Sequence, residues 1–163
     1  MFASSPRSPD APDARIAALA QAHAALPGAL LPLLHAIQDE FRCIPDEAVP
    51  LIAAALNLSR AEVHGVIGFY RHFRSHAPGR HVVQICRAEA CQAVGALELE
   101  AHARRALGCG FHATSADGSV TLEPVYCLGN CACGPSLRVD DEIVGRVDAR
   151  RFDELLAELR SAP

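Results

Sequence analysis

Apolar positions in the first half of the chain recur at helical spacing. Ile16, Leu19, Ala20 and His23 share one face of a segment from Asp13 to about Leu26, which predicts an amphipathic helix ended by Pro27-Gly28. A second helix is predicted from about Ala29 to Arg42, with Pro32 in its first turn, where a missing N–H costs nothing. Ile44-Pro45 reads as a turn. Asp46 stands where it would cap a third helix through about Leu56, closed by Asn57-Leu58. Ser59-Arg60-Ala61-Glu62 is a capping box, and it opens a fourth helix through about Tyr70. Short helices on short links predict a helical subdomain over 13–78, behind a Ser- and Pro-rich tail over 1–12 expected to be disordered.

After Ser75-His76-Ala77-Pro78-Gly79 the period changes. His81 to Ile85 reads as a strand, about Gln92 to Leu107 as a helix stopped by Gly108, and His112 to Gly118 as a loop. Val120 to Tyr126 reads as a second strand. Ser136–Val139 and Glu142–Val147 read as a hairpin turning at Asp140-Asp141. Asp148 is placed to cap a last helix through about Leu159, with Phe152, Leu155, Leu156 and Leu159 on one face. The order β-α-β-β-β-α over 79–163 predicts a small mixed sheet covered by helices, so the chain as a whole is expected to be α+β.

Composition narrows the function classes. The formal net charge of -4, without a basic stripe, argues against a nucleic-acid partner. The start of the chain lacks the apolar core of a signal peptide and no apolar run is long enough for a membrane span, so a cytoplasmic protein without membrane insertion is expected. In that compartment seven cysteines, an odd number, point to metal or redox chemistry rather than structural disulfides.

The cysteines fall into a pattern. The first strand ends at Cys86, and Cys91 follows in a C-x4-C spacing; the second strand releases into Cys127 and Cys131, C-x3-C, on a loop rich in glycine. Two strand ends thus deliver four soft ligands, enough for one metal centre. Four thiolates mean zinc or iron–sulfur. Structural zinc favours tighter C-x2-C knuckles, whereas the longer spacings suit a rhombic [2Fe–2S] cluster, whose two irons each take two thiolates. Backbone amides near Gly129, Gly134 and the helix after Cys91 are available to offset the cluster's negative charge. Cys43 and Cys109 read as small buried hydrophobes, and His72, His76 and His81 as solvated surface. Cys133, two residues past Cys131, is expected to lie beside the centre without ligating it.

The C-x4-C pair followed by Cys127-Leu128-Gly129-Asn130-Cys131, then a proline and a hairpin, resembles the thioredoxin-like [2Fe–2S] ferredoxin family. So does the helical segment Ser59-Arg60-Ala61-Glu62-Val63-His64-Gly65-Val66-Ile67-Gly68-Phe69-Tyr70; the resemblance covers about residues 15–160. It implies a thioredoxin-like sheet with flanking helices, one [2Fe–2S] cluster on Cys86, Cys91, Cys127 and Cys131, and no catalytic residue in this chain. It also implies an electron-transfer role beside a flavoprotein subunit that binds FMN and NAD, and beside a larger iron–sulfur or catalytic subunit. Within the family, the stretches Cys86–Gln92 and Cys127–Pro135 look most like the gamma subunit of soluble NAD-dependent formate dehydrogenase, whose molybdenum cofactor would sit on a partner. The matching subunits of NAD-reducing hydrogenase and of complex I are the alternative. Many relatives carry Ala where this chain has Gly134, and Cys133 is an additional cysteine.

Two readings from other classes compete. One is a zinc-stabilised interaction module. The other is a thiol–disulfide oxidoreductase, weakened by the absence of C-x-x-C at the first strand–helix junction. The chain has no G-x-G-x-x-G and no P-loop, so NAD is expected on a partner.

Overall fold

The computed structural model describes residues 12–161. The tail expected over 1–12 lies outside them, apart from Pro12, which opens the first helix. Two compact units divide at the Ala77–Pro78 bond.

The first unit is built from α1 (Pro12–His23), α2 (Leu30–Phe41), α3 (Ala48–Leu56) and α4 (Arg60–Phe69). Leu33, Leu34 and Ile37 sit at one-turn spacing on α2 and are fully buried against Ile16, Ile52 and Val63. Each such side chain contributes about 1.5–3 kcal/mol by leaving water. Gln38 is buried beside them but fully used: its amide donates to His72 O at 2.9 Å, and its carbonyl accepts from Arg74 N at 2.8 Å. That pair ties the segment after α4 to the core. The expected capping box is present, with Glu62 N donating to Ser59 Oγ and Ser59 N to the Glu62 carboxylate. Asp46 does not cap α3. The helix starts later, behind Glu47, and its entry is a backbone turn in which Ala48 N donates to Pro45 O.

The second unit comprises β1 (His81–Cys86), α5 (Glu89–Gln92), α6 (Ala96–Leu107), β2 (Ala113–Thr114), β3 (Val120–Val125), β4 (Leu137–Val139), β5 (Glu142–Val144) and α7 (Ala149–Ser161). The strands form one sheet in the order β2-β3-β1-β4-β5. β1 and β3 are parallel, and the other pairs are antiparallel. Val83, Ile85, Leu122 and Leu137 project from one face onto Leu99, Ala103 and Leu107 of α6 and Phe152 and Leu156 of α7. Period-two alternation puts Gln84 and Cys86 on the opposite parity to Val83 and Ile85. This is the α+β, thioredoxin-like arrangement of a mixed sheet with flanking helices.

Two local expectations differ from what is observed. The helix expected to start at Gln92 is broken: α5 covers Glu89–Gln92, and Gly95, in a left-handed conformation (φ 103°), restarts the chain as α6. Cys91 therefore sits on a helical turn rather than a loop. The 112–118 segment expected as loop contains β2, whose two residues pair with β3 through Ala113–Leu122 and Thr114–Thr121. Two residues are too few to show any alternation in sequence.

Candidate metal centre

The parallel pairing of β1 and β3 sets the ends of the two strands side by side. Cys86 stands directly opposite Val125 in register, so both strands finish at the same end of the sheet. Cys86 closes β1, and Cys127 follows the end of β3 by two residues. Arg87 N donates to Val125 O at 2.7 Å, so the two chains stay paired one step beyond the strand proper. Pro124, in β3 opposite Ile85, is tolerated because β2 has already ended on its other side.

Cys91 is carried back toward Cys86 by α5. Both thiols are buried, each 2 % exposed, and they pack with Ala96, Ala88, Val125 and Leu128. Cys127 and Cys131 are exposed, with sulfurs 3.9 Å apart. Their loop holds two left-handed residues, Cys127 (φ 97°) and Gly129 (φ 75°), and Gly129 N donates to Cys127 Sγ at 3.3 Å. Glycine takes that conformation freely. For Cys127 it is a strained state of about 1–3 kcal/mol, which persists only where the surroundings fix it.

The electrostatics link the four sulfurs. Burial works against ionisation of Cys86, yet its thiol titrates below the ordinary cysteine value, because the backbone N–H groups of Ala88, Cys127 and Leu128 and the Cys91 thiol favour the thiolate. Amides from the second cysteine loop thus reach the first cysteine. Burial pushes the Cys91 thiol up, the Ser136 N–H partly offsets it, and Cys86 and Cys131 push further in the same direction. Cys131 is raised by the neighbouring Cys127 thiol, with Cys86 adding to it. Ionising one of these sulfurs therefore works against ionising Cys91 and Cys131. Cations bound among them would relieve that repulsion, and the donor set is purely soft sulfur. These residues fit an iron–sulfur cluster.

The second loop is pinned from below. Cys131–Cys133 is a single 3-10 turn; Arg146 N donates to Cys133 O at 2.6 Å, and Val147 N donates to Pro135 O at 3.0 Å. Ser136, fully buried, donates its hydroxyl to Cys133 O, and its carbonyl accepts from Cys86 N. Gly145 lies so close beneath that a Cβ there would meet Asn130 Nδ2 and Cys133 O at 2.7 Å. At Gly134 a Cβ would lie 2.8 Å from Val94 Cγ2 and 3.4 Å from Cys91 Sγ, so the glycine brings the two cysteine loops together. Ser136 and Gly145 escaped the sequence reading. The one available signal was a glycine at the end of a strand pattern, which marks close backbone approach. Cys43 and Cys109 are half-buried, each with its thiol pushed up by burial, and neither is grouped with the four.

A thioredoxin-like sheet with a cysteine pair after each of two parallel strands defines the class as a small mixed-sheet domain with a candidate metal centre at the strand ends. The model of the thioredoxin-like [2Fe–2S] ferredoxin family matches residues 16–160, and the chain belongs to that family. Its cofactor is a [2Fe–2S] cluster. Among curated relatives, a NADH-quinone oxidoreductase subunit of Pseudomonas aeruginosa is 36% identical over 114 residues, 70% of this chain and 69% of the relative. A NADH-quinone oxidoreductase subunit of Thermus thermophilus is 34% identical over 134 residues, 82% of this chain and 74% of the relative. A chain of the NAD+-reducing [NiFe]-hydrogenase, in a crystal structure of its air-oxidized state, shares the fold with a TM-score of 0.69 at 21% identity. That match covers 81% of this chain but only 23% of the hydrogenase chain.

Proposed function

We propose that this chain is an electron-carrying subunit of a multisubunit NAD(H)-linked oxidoreductase, with Cys86, Cys91, Cys127 and Cys131 as the cluster ligands. The observation that supports the ligand assignment is the in-register end of the parallel strands, from which the two cysteine pairs follow at the same end of the sheet. When bound, a [2Fe–2S] cluster takes up and releases one electron at a time. The protein's own part is to hold it. The buried pair Cys86 and Cys91 and the exposed pair Cys127 and Cys131 would hold it, and the loop amides would offset its charge. A flavin accepts electron pairs as hydride and releases them singly, so a one-electron carrier beside it is chemically useful.

The parent complex is read from the relatives. The curated matches are subunits of NADH-quinone oxidoreductase, and the fold match is to an NAD+-reducing hydrogenase. They support the complex I or hydrogenase reading better than formate dehydrogenase, which rests on the two cysteine stretches alone. In each case FMN and NAD belong on a flavoprotein subunit, and a further iron–sulfur or catalytic subunit completes the path. For a formate dehydrogenase that subunit would also hold the molybdenum cofactor. Among the described residues no helix is long and apolar enough to cross a membrane.

The test is direct. Anaerobically purified protein should contain about two irons and about two acid-labile sulfides per chain, the cluster's formula. Replacing any one of the four cysteines by Ala should remove or destabilise the cluster. Stoichiometric zinc without sulfide overturns the ligand assignment. Copurifying subunits identify the parent complex.

A further inference from the structure

Ser136 stands one residue before β4 and touches both halves of the proposed ligand set. Its carbonyl accepts from Cys86 N at 3.0 Å, a backbone bond open to any residue at this position. Its side chain does what few residues could do. The hydroxyl is directed at two carbonyls of the second cysteine loop, Cys133 O at 3.2 Å and Asn130 O at 3.4 Å. Asn130 Nδ2 donates to the same hydroxyl at 3.3 Å. A hydroxyl can share its one proton between two carbonyls while its oxygen accepts from an amide, so three groups meet at one atom. Residues 130 and 133 bracket Cys131. Ser136 is only 1% exposed, so bulk water has no access to replace these bonds.

The rest of the turn shows what the hydroxyl adds. Cys133 N donates to Asn130 O at 3.0 Å, which closes the turn on itself. Arg146 N holds Cys133 O, and a Cβ built at Gly145 would meet Cys133 Cβ at 2.8 Å, so the downstream end is already seated. The Ser136 hydroxyl fastens the upstream end, at Asn130, to the residue that also receives the Cys86 amide. We infer that Ser136 is a positioning residue for the cluster: its hydroxyl clamps the turn that carries Cys131 and so fixes the spacing of that thiol from Cys127, whose sulfur lies 3.9 Å away. The inference rests on the four-cysteine ligand assignment above. Alanine at 136 keeps the backbone bond to Cys86 and loses the clamp, which leaves the Asn130 amide without its partner.

The test uses the full chain with its cluster. Ser136→Ala and Asn130→Ala should each still hold about two irons and two sulfides. In Ser136→Ala the reduced-state paramagnetic resonance spectrum should shift or broaden, and a chelator should strip iron several-fold faster than from the parent protein. Asn130→Ala should move both readings in the same direction and by less, since the hydroxyl keeps its two carbonyls. The double variant should release iron at about the rate of Ser136→Ala, because both changes act on one junction. A parental spectrum and release rate in Ser136→Ala overturn the inference even where the melting temperature falls, since the hydroxyl then supports the fold alone. Rate increases that multiply in the double variant overturn it too, because the two side chains then act separately. Should Ser136→Ala not accumulate as folded protein, Asn130→Ala decides alone, and parental values in it overturn the inference. A parent chain without iron and sulfide fails the ligand assignment and this inference together, whereas an intact parent cluster with unaltered variants fails the inference only.

Discussion

At the scale of single residues, the site depends on close approach more than on the ligands alone. Gly145 lies outside the left-handed region, so its requirement is space, since any Cβ collides with Cys133 and Asn130. Gly145→Ala should push the Cys131–Cys133 turn off its seat at a cost of about 1–3 kcal/mol, the usual range for overpacking. A lowered melting temperature together with a reduced cluster content would register it. Cys133 presents the opposite case. Its carbonyl is held by Arg146 N and the Ser136 hydroxyl, so its structural work is done by its backbone. Cys133→Ser is therefore expected to leave the cluster's paramagnetic signal in place, whereas Cys131→Ser should abolish it. The reverse pattern in those two spectra would reassign the ligand.

At the scale of elements, the turn between β2 and β3 is tied to α7 by one carboxylate. Asp117 accepts from the Ser115 and Ser119 hydroxyls and from Ser119 N, and pairs with Arg160 at 3.0 Å. The two serine hydroxyls, then the Ser119 amide, hold its carboxyl well below the usual aspartate range. A depressed folded-state pKa gives stability that is present above the unfolded value, about 4, and is lost as pH falls from there through the folded value. Asp117→Asn should accordingly lower the melting temperature at pH 7, and the gap to the parent should narrow as the pH drops below about 4. Melting curves across that range check the sign. A gap that widens in acid contradicts it. In the helical unit, the reciprocal Ser59–Glu62 capping box predicts a smaller loss: Ser59→Ala should cost roughly 1 kcal/mol, read by denaturant unfolding.

At the scale of the whole molecule, the helical unit holds no cysteine pair but presents apolar surface. A groove of about 580 Å³ is lined by Leu26, Leu30, Leu31, Leu56, Val66 and Tyr70, and Phe69 stands largely exposed. Exposed apolar patches of this kind mark interfaces. A fragment beginning near Pro78 should keep its colour yet fail to copurify with a flavoprotein subunit, which a pull-down against the full chain tests. Loss of colour with the helices would instead make them a support for the cluster domain. The same dependence on a partner predicts that the isolated full chain exchanges electrons with NAD slowly until the flavin subunit is added; fast NAD reduction by the chain alone contradicts it.

The sequence by itself determined whatever is written in local period and local chemistry. Helical spacing marked α1 to α4, and the capping box of α4 was legible because its hydrogen bonds span three residues. Alternation marked β1, β3 and the β4–β5 hairpin, and sulfur spacing picked out the two cysteine pairs proposed as ligands. The tertiary structure alone decided the rest, because those features join residues far apart in the chain. The register of Cys86 against Val125, which sets the ends of β1 and β3 side by side, is carried by no local pattern. The break at Gly95 interrupts a run of good helix formers, so propensity could not place it. β2 exists only because β3 offers an edge to two residues with no strand pattern of their own. Gly145 under Cys133 gains its role only when packing brings distant backbone and side chains within a few ångströms.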